Sequence, residues 1–318
     1  MSYKLRPEEP LSVELRRCAR EQLDTALDEL RDGIGEDLAR GVHSARKAIK
    51  KERSLLRLAR GAMSAKQRQR ENAALRDTAR LLSGRRDADV MLATVAQLSD
   101  RFAGQLPAST FEAIREQLER SNGAEAGGPS VDPRAVHALC ELHARVEEWE
   151  LGKEGWNAVG TGLTRAYRQG RQAFRQARAT RSAEDLHAWR KRVKDLWYQE
   201  RLLTPACGPT VAGHAKDAHG LADLLGDDHD LAVLRETLTA PTLAAPVDVD
   251  AVIELVDHRR AELQAEAIQV GKRIYAEKTK AFRRRVRRSW RAGRRAATGV
   301  LEQRPAELAL ATRTPHHS

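Results

Sequence analysis

The apolar residues of the chain follow the period of an α-helix over nearly its whole length. Near the N-terminus Leu15, Ala19, Leu23, Ala26 and Leu30 recur at intervals of three or four residues, which is the spacing of an amphipathic helix. We find no run that alternates apolar and polar residues in the manner of a half-buried strand. The pattern therefore predicts an all-α protein.

Helix-breaking residues divide the chain into two helical repeats. Glycine and proline are concentrated between residues 123 and 133, and such clusters mark loops between regular elements. The predicted organisation is a first helical repeat over 1–122, a linker over 123–133, a second helical repeat over 134–298, and a flexible C-terminal tail over 299–318.

Two further boundaries are predicted within the second repeat. The segment 226–229 (GDDH) is expected to separate helices over 209–225 and 230–238, because glycine often ends a helix and aspartate caps the next one. One long helix, or a kinked pair, is expected over 250–297.

A basic helix occurs twice in the chain. Residues 42–60 align with residues 186–203, and His187 lies 144 residues after His43. In both copies Arg or Lys follows the histidine by 3, 4, 7 and 14 residues. At about 100° per residue these positions share one broad face of the helix, and apolar residues occupy the other. The residues predicted to bind a ligand on these two helices are His43, Arg46, Lys47, Lys50, Arg53, Arg57, His187, Arg190, Lys191, Lys194 and Arg201.

This face carries almost no negative charge. A solvated helix normally intersperses carboxylates among its cations, yet Asp195 lies only at the edge of the face, and Glu52 and Glu200 lie toward the apolar side. Clustered positive charge is self-repelling unless an anion neutralises it, and Arg and Lys both bind phosphate oxygens. We therefore expect a ligand with many closely spaced negative charges.

The two histidines have two interpretations. His43 and His187 can donate hydrogen bonds to a phosphate or hold a neighbouring Arg, in which case binding should tighten below about pH 6.5, the usual pKa of histidine. The alternative is a structural role in capping or core packing. The spacing alone leaves both open.

Further basic residues lie outside the repeated helices. Arg165, Arg168 and Arg171 lie on one side of the helix before His187, and Lys272 and Arg273 begin a run to Arg295 with twelve Lys or Arg and one acidic residue. We include Arg168, Arg171, Lys272 and Arg273 among the predicted binding residues. Part of the later run, around 283–288, is expected to face solvent.

Composition narrows the classes of partner. A net charge of +11 and a pI near 9.9 imply an acidic partner. Aromatic residues make up only 4%, which leaves little for stacking single-stranded bases. The three cysteines lack metal-ligand spacing, so neither a disulfide framework nor a zinc site is expected. We find no signal peptide and no membrane-length apolar run, and we expect a cytoplasmic protein with no membrane partner.

Three other functions are alternatives at this point. A metal-dependent phosphohydrolase could use the acidic segment 226–230 with His214 and His219, but histidines five residues apart do not share a helix face. A basic helical protein can also bind nucleic acid nonspecifically through its phosphates. A helical scaffold is the third alternative, although it would not need the same basic spacing in both halves.

The basic repeat resembles the CHAD family of helical domains. The matching features are the His-led basic helices that begin at His43 and His187, the segments 86–90 and 224–234 that follow them, and the segment 271–275. The resemblance covers roughly residues 11–290. Three positions depart from the family pattern: Trp197 matches Arg53 of the first copy, His229 replaces an expected Asn, and Glu52 stands where an apolar residue is usual.

The resemblance implies a fold, a ligand and a role. It implies two four-helix bundles related by pseudo-twofold symmetry around a basic central cleft or pore that holds inorganic polyphosphate. It implies a binding module without a catalytic residue, metal or cofactor, associated with polyphosphate granules or with polyphosphate-metabolising enzymes. Nucleic acid is then expected only as a competitor.

Overall fold

The computed structural model describes residues 3–32, 38–82, 86–123, 131–240 and 249–311. Across these ranges the chain forms eleven α-helices and no strand, which confirms the all-α prediction. The helices are α1 (Leu11–Asp32), α2 (Leu38–Leu58), α3 (Ala65–Leu81), α4 (Arg86–Arg101), α5 (Ala108–Gly123), α6 (Pro133–Arg145), α7 (Trp156–Thr180), α8 (Ala183–Cys207), α9 (Pro209–Leu238), α10 (Val249–Ile274) and α11 (Thr279–Ala311), with a 3₁₀ turn at Ala59–Gly61.

Several helices begin at polar side chains that cap them. Ser64 accepts a hydrogen bond from the main-chain NH of Gln67 at the start of α3, and Ser182 accepts one from Asp185 at the start of α8. Asp132 caps α6 in the same way. Each cap satisfies a donor that has no partner within its helix, and a cap of this kind contributes about 1 kcal/mol.

Among the described residues, the buried apolar side chains form two groups. The larger group surrounds α7 and α8, where the rings of Tyr167 and Phe282 stack at 3.9 Å and those of Phe174 and Trp189 lie 5.1 Å apart. The smaller group joins α4, α5, α9 and α10. Burial of large apolar side chains, at roughly 1.5–3 kcal/mol each, is the main force that holds these helices together.

The predicted break at 226–229 is wrong, because α9 is continuous from Pro209 to Leu238. Asp228 is buried and accepts hydrogen bonds from Gln264 Nε2 (2.9 Å) and Arg260 Nε (3.2 Å), both on α10. A Cβ atom on Gly226 would lie 3.0 Å from Arg190 Nη2 on α8. Asp228 and Gly226 thus make close contacts with neighbouring helices, and neither residue ends α9.

The C-terminal region forms two helices. The structure divides the segment predicted over 250–297 into α10 and α11, and α11 continues to Ala311, into the predicted tail. Most of the predicted linker lies outside the described residues, which resume at 131. Among the described helices, none has the length and apolar character needed to span a membrane.

Candidate functional site

The two His-led helices contact each other directly. Ser54 Oγ on α2 donates a hydrogen bond to the main-chain oxygen of Asp195 on α8 (3.1 Å), and Gln199 Nε2 on α8 donates one to the main-chain oxygen of Ser54 (3.5 Å). Both hydrogen bonds are buried. Segments about 140 residues apart in sequence are therefore held side by side.

A cavity of about 450 Å³ lies along this contact, and we call it the α2–α8 cavity. Both helices contribute to its lining, and the charges of that lining are predominantly positive. Of the eleven residues predicted on the two helices, seven line it. The complete lining consists of Lys50, Arg53, Arg57, His187, Arg190, Lys191, Arg192, Lys194, Asp195 and Tyr198.

Asp195 lies within this group of cations and not merely at its edge. Its carboxylate accepts a hydrogen bond from Arg57 Nη1 (2.9 Å) and forms an ion pair with Arg192 Nη1 (3.3 Å). The residue is buried. The helical wheel missed this arrangement because Arg57 reaches Asp195 from the other helix, a relationship that no single-helix projection contains.

His187 is held in an environment that disfavours its charged form. Its ring lies 4.0 Å from that of His229 on α9, and Nδ1 is buried without a hydrogen-bond partner in the described structure. Burial, followed by His229 and nearby cations including Lys191 and Arg190, lowers the pKa of His187 to about 4. The imidazole is therefore neutral at pH 7, with one ring nitrogen as a hydrogen-bond donor and the other as an acceptor.

Four predicted residues of the repeat are not part of the cavity lining. Arg46 Nη1 donates hydrogen bonds to the main-chain oxygens of Leu82 (2.9 Å) and Ala79 (3.3 Å), at the C-terminal end of α3. A cation at this end of a helix is stabilising, so these two hydrogen bonds contribute to holding α2 against α3. His43 and Lys47 are exposed on α2, and Arg201 is half-buried on α8.

The four predicted residues outside the repeat also lie away from the α2–α8 cavity. Arg171 Nε on α7 donates a hydrogen bond to the main-chain oxygen of Tyr275 (3.3 Å), and Lys272 Nζ on α10 donates one to Gln269 Oε1 (3.3 Å). Arg168 and Arg273 are exposed.

A second cavity, of about 220 Å³, shares Arg57, Arg192 and Asp195 with the first. Its remaining basic residues are Arg60, Arg68 and Arg165, from three different elements. Burial, together with the charge of neighbouring arginines, lowers the pKa of Arg60 and of Arg68.

The sequence pattern places Arg165 beside Arg168 and Arg171 on one helix, but we did not include Arg165, Arg60 or Arg68 among the predicted binding residues. Arg60 follows Arg57 by three residues, which is a signal that could have been used. Nothing in the sequence indicates that Arg68, on α3, lies beside Arg165 on α7.

The residues considered for a metal site have other partners. His214 Nδ1 lies 2.7 Å from Glu200 Oε1, and its Nε2 lies 3.2 Å from the main-chain oxygen of Ile274. The ring of His219 lies 4.0 Å from that of Trp197, and its Nδ1 lies 3.1 Å from Asp223. In the part of the chain that the structure describes, no group of three or more His, Cys, Asp or Glu is arranged to hold a metal ion.

Comparison with known proteins agrees with the resemblance found in the sequence. The family model described as the CHAD domain matches residues 17–239, which are 223 of the 318 residues of the chain. A search of curated proteins found no match. The matched segment includes every residue that lines the two cavities. The chain therefore belongs to the CHAD domain family.

Proposed function

We propose that this protein binds inorganic polyphosphate, or a similar linear polyanion, in the α2–α8 cavity and does not catalyse a reaction. The observation that carries the proposal is the composition of the lining, which has seven Lys or Arg and one carboxylate, drawn from both His-led helices. Membership of the CHAD family is consistent with this function. Seven clustered cations are electrostatically costly unless an anion neutralises them.

The shape of the site favours a chain of phosphates over a compact anion. The α2–α8 cavity and the second cavity meet at Arg57, Arg192 and Asp195. A linear polyanion can contact the first cavity and continue past Arg57 into the second, whereas a single phosphate can reach only a few of these cations. In this proposal α2 and α8 are the related helices of two pseudo-symmetric bundles.

The side chains have distinct roles in the proposed complex. The guanidinium groups of Arg57 and Arg190 bind phosphate oxygens through paired N–H donors, and Lys50 and Lys194 act as point charges. His187 donates a neutral hydrogen bond. We propose that the physiological setting is the cytoplasm, with polyphosphate granules or polyphosphate-metabolising enzymes as partners.

Calorimetric titration with long-chain polyphosphate at two salt concentrations tests the proposal. The cavity variant carries Lys50→Gln, Arg190→Gln and Lys194→Gln. The control variant carries Lys66→Gln, Arg115→Gln and Arg120→Gln on the exposed surfaces of α3 and α5, where the same charge is removed.

We expect the cavity variant to lose at least about 100-fold in affinity, because a hydrogen bond between charged groups contributes roughly 1.5–3 kcal/mol. The control variant should lose far less. Equal losses in the two variants would mean that the cavity is not the binding site.

A further inference from the structure

A second basic surface lies on α11, outside the matched family segment. Residues 279–299 contain nine Lys or Arg and no Asp or Glu. Two of the nine are engaged with other groups: Arg285 pairs with Glu277 (2.7 Å), and Arg294 donates a hydrogen bond to the main-chain oxygen of Glu9 (3.0 Å). The other seven form what we call the α11 stripe: Lys280, Arg283, Arg284, Arg287, Arg288, Arg291 and Arg295.

In the part of the chain that the structure describes, no carboxylate pairs with the α11 stripe. Six of its seven members are exposed. The seventh, Arg287, is half-buried, and its Nε has no hydrogen-bond partner. The stripe is therefore a concentration of positive charge that the described residues leave unpaired, which favours an external anion.

These seven side chains lie on one side of α11. At about 100° per residue they fall within an arc of about 140°, and Phe282, Val286 and Trp290, which lie outside this arc, are buried. The segment from Lys280 to Arg295 corresponds to about 22 Å of helix. The seven cations thus form a broad, straight and convex surface, unlike the concave α2–α8 cavity.

The α11 stripe and the α2–α8 cavity lie on different sides of α8. Helix α11 approaches α8 at Ala206, where a Cβ atom on Gly293 would overlap the main-chain oxygen, and the charge of Arg285 acts on Glu200. Lys191, which lines the cavity, is nine residues before Glu200 and so points about 180° away from it. One ligand in the cavity does not cover the stripe.

We infer that the α11 stripe binds the phosphate backbone of double-stranded nucleic acid without reading its sequence. A thin single chain follows one line along the helix and contacts only part of a set of guanidinium groups that is spread over about 140°. A duplex can, because its major groove, about 12 Å wide, admits a helix between two phosphate strands. Arg is well suited to phosphate, and phosphate contacts carry no sequence information.

Two other polyanionic partners fit the surface less well. Single-stranded nucleic acid is bound through aromatic stacking, and Phe282 and Trp290, the aromatic residues beside the stripe, are buried. A helix that lies on a membrane inserts an apolar face, whereas the apolar face of α11 is packed in the core.

Fluorescence anisotropy with a labelled 20-base-pair duplex of arbitrary sequence, over a series of salt concentrations, tests the inference on the full-length protein. The stripe variant carries Arg284→Gln, Arg288→Gln and Arg291→Gln. The cavity variant and the surface control described above each remove the same charge elsewhere. Circular dichroism checks that each variant is folded.

The stripe variant should bind the duplex at least about 10-fold more weakly than the wild type. The slope of log K against log salt should also become shallower by up to about 2.7, because each phosphate that the protein neutralises contributes about 0.9 to the slope. The cavity variant and the surface control should retain most of the duplex affinity. Polyphosphate affinity should be retained in the stripe variant.

Three results would overturn the inference: an unchanged affinity of the stripe variant for the duplex, a larger loss in the cavity variant than in the stripe variant, or binding to anionic phosphatidylserine vesicles with no binding to the duplex. The outcome does not depend on the proposed function. A protein that binds the duplex through α11 but fails to bind polyphosphate would refute the cavity proposal alone.

Discussion

Arg57 on α2 and Asp195 on α8 form an ion pair at 2.9 Å, at the junction of the two cavities. The corresponding positions of the other repeat, 144 residues away, are Arg201 and Lys51. Arg201 and Lys51 are both cationic residues. Burial is the largest cause that lowers the pKa of Lys51 to about 8, and the positive charges of Arg201 and Lys47 lower it further. At this pair of equivalent positions, a carboxylate on α8 stands beside Arg57, whereas a lysine stands at the matching position on α2.

Removing the charge of Asp195 should strengthen polyphosphate binding. Asp195→Asn keeps the shape of the side chain, eliminates the negative charge beside Arg57 and Arg192, and leaves both cations available to phosphate. We expect the dissociation constant to fall by about 3- to 10-fold, or roughly 1 kcal/mol. Calorimetry measures this.

The matched control for that change is Glu184→Gln, which neutralises an exposed carboxylate in the first turn of the same helix. Its affinity should stay close to that of the wild type. Weaker binding by Asp195→Asn would show instead that the carboxylate is needed to orient Arg57.

The position of Arg57 also depends on a close approach between α2 and α7. A Cβ atom on Gly162 would overlap the main-chain oxygens of Arg57 and Leu58. We expect Gly162→Ala to destabilise the fold by about 1–3 kcal/mol, as overpacking does. On Gly220, inside α9, a Cβ would meet nothing within 4 Å.

Gly220→Ala should therefore stabilise the fold by about 0.5–1 kcal/mol, because alanine favours a helix over glycine. Denaturant unfolding of the two variants measures both values. Equal effects would contradict the backbone contact between α2 and α7.

Glu52 should make the protein less stable at alkaline pH. Both of its carboxylate oxygens are buried without hydrogen-bond partners in the described structure, and burial, with Glu71 as a smaller cause, raises its pKa to about 8. The unfolded chain loses this proton near pH 4.5. The contribution of Glu52 protonation to the free energy of unfolding is therefore fully present below about pH 4.5 and is lost as the pH rises through 8.

Glu52→Gln removes this titration. The variant should match the wild type at pH 5 and have a Tm higher by at least about 2–4 °C at pH 8.5, equivalent to about 1 kcal/mol. Thermal melts at the two pH values measure the difference. A Tm difference of the same size at both would mean that Glu52 is not protonated in the fold.

His187 should make the protein less stable at acidic pH, whereas Glu52 makes it less stable at alkaline pH. Its pKa of about 4 in the fold lies below the usual histidine value of 6.5, so the unfolded chain takes up a proton that the folded chain does not. Stability should fall as the pH drops from 6.5 to 4.

Phosphate favours the charged imidazole, so polyphosphate affinity should keep rising down to about pH 4.

His187→Gln should flatten both trends, whereas the exposed control His137→Gln on α6 should preserve them. Melting temperatures and calorimetric affinities between pH 7 and pH 4 provide the comparison. Polyphosphate affinity that is independent of pH in the wild type would argue that His187 does not contact the ligand.

The helices and the shared basic face could be predicted from the sequence, because helical periodicity is local. The orientation of Lys50, Arg57, Arg190 and Lys194 follows from their position relative to the apolar face. The contact of Arg46 with the end of α3 could not be predicted, because the acceptors are main-chain oxygens of another helix.

Two other differences between the prediction and the structure arise from contacts between residues that are far apart in the sequence. The helix break predicted near Asp228 is absent because the Asp228 carboxylate accepts a hydrogen bond from Gln264 on α10 and does not cap a new helix. This contact between two helices cannot be read from the local sequence. The second cavity was missed for the same reason, since Arg68 and Arg165 meet only when α3 and α7 pack near each other.

Lysine footprinting on the wild-type protein tests the central proposal most directly. The protein is acetylated with and without long-chain polyphosphate, and the modification of each lysine is measured by mass spectrometry. We predict strong protection of Lys50, Lys191 and Lys194, and little protection of Lys66 and Lys216. Protection that is equal at all five lysines, or absent from the first three, would contradict polyphosphate binding in the α2–α8 cavity.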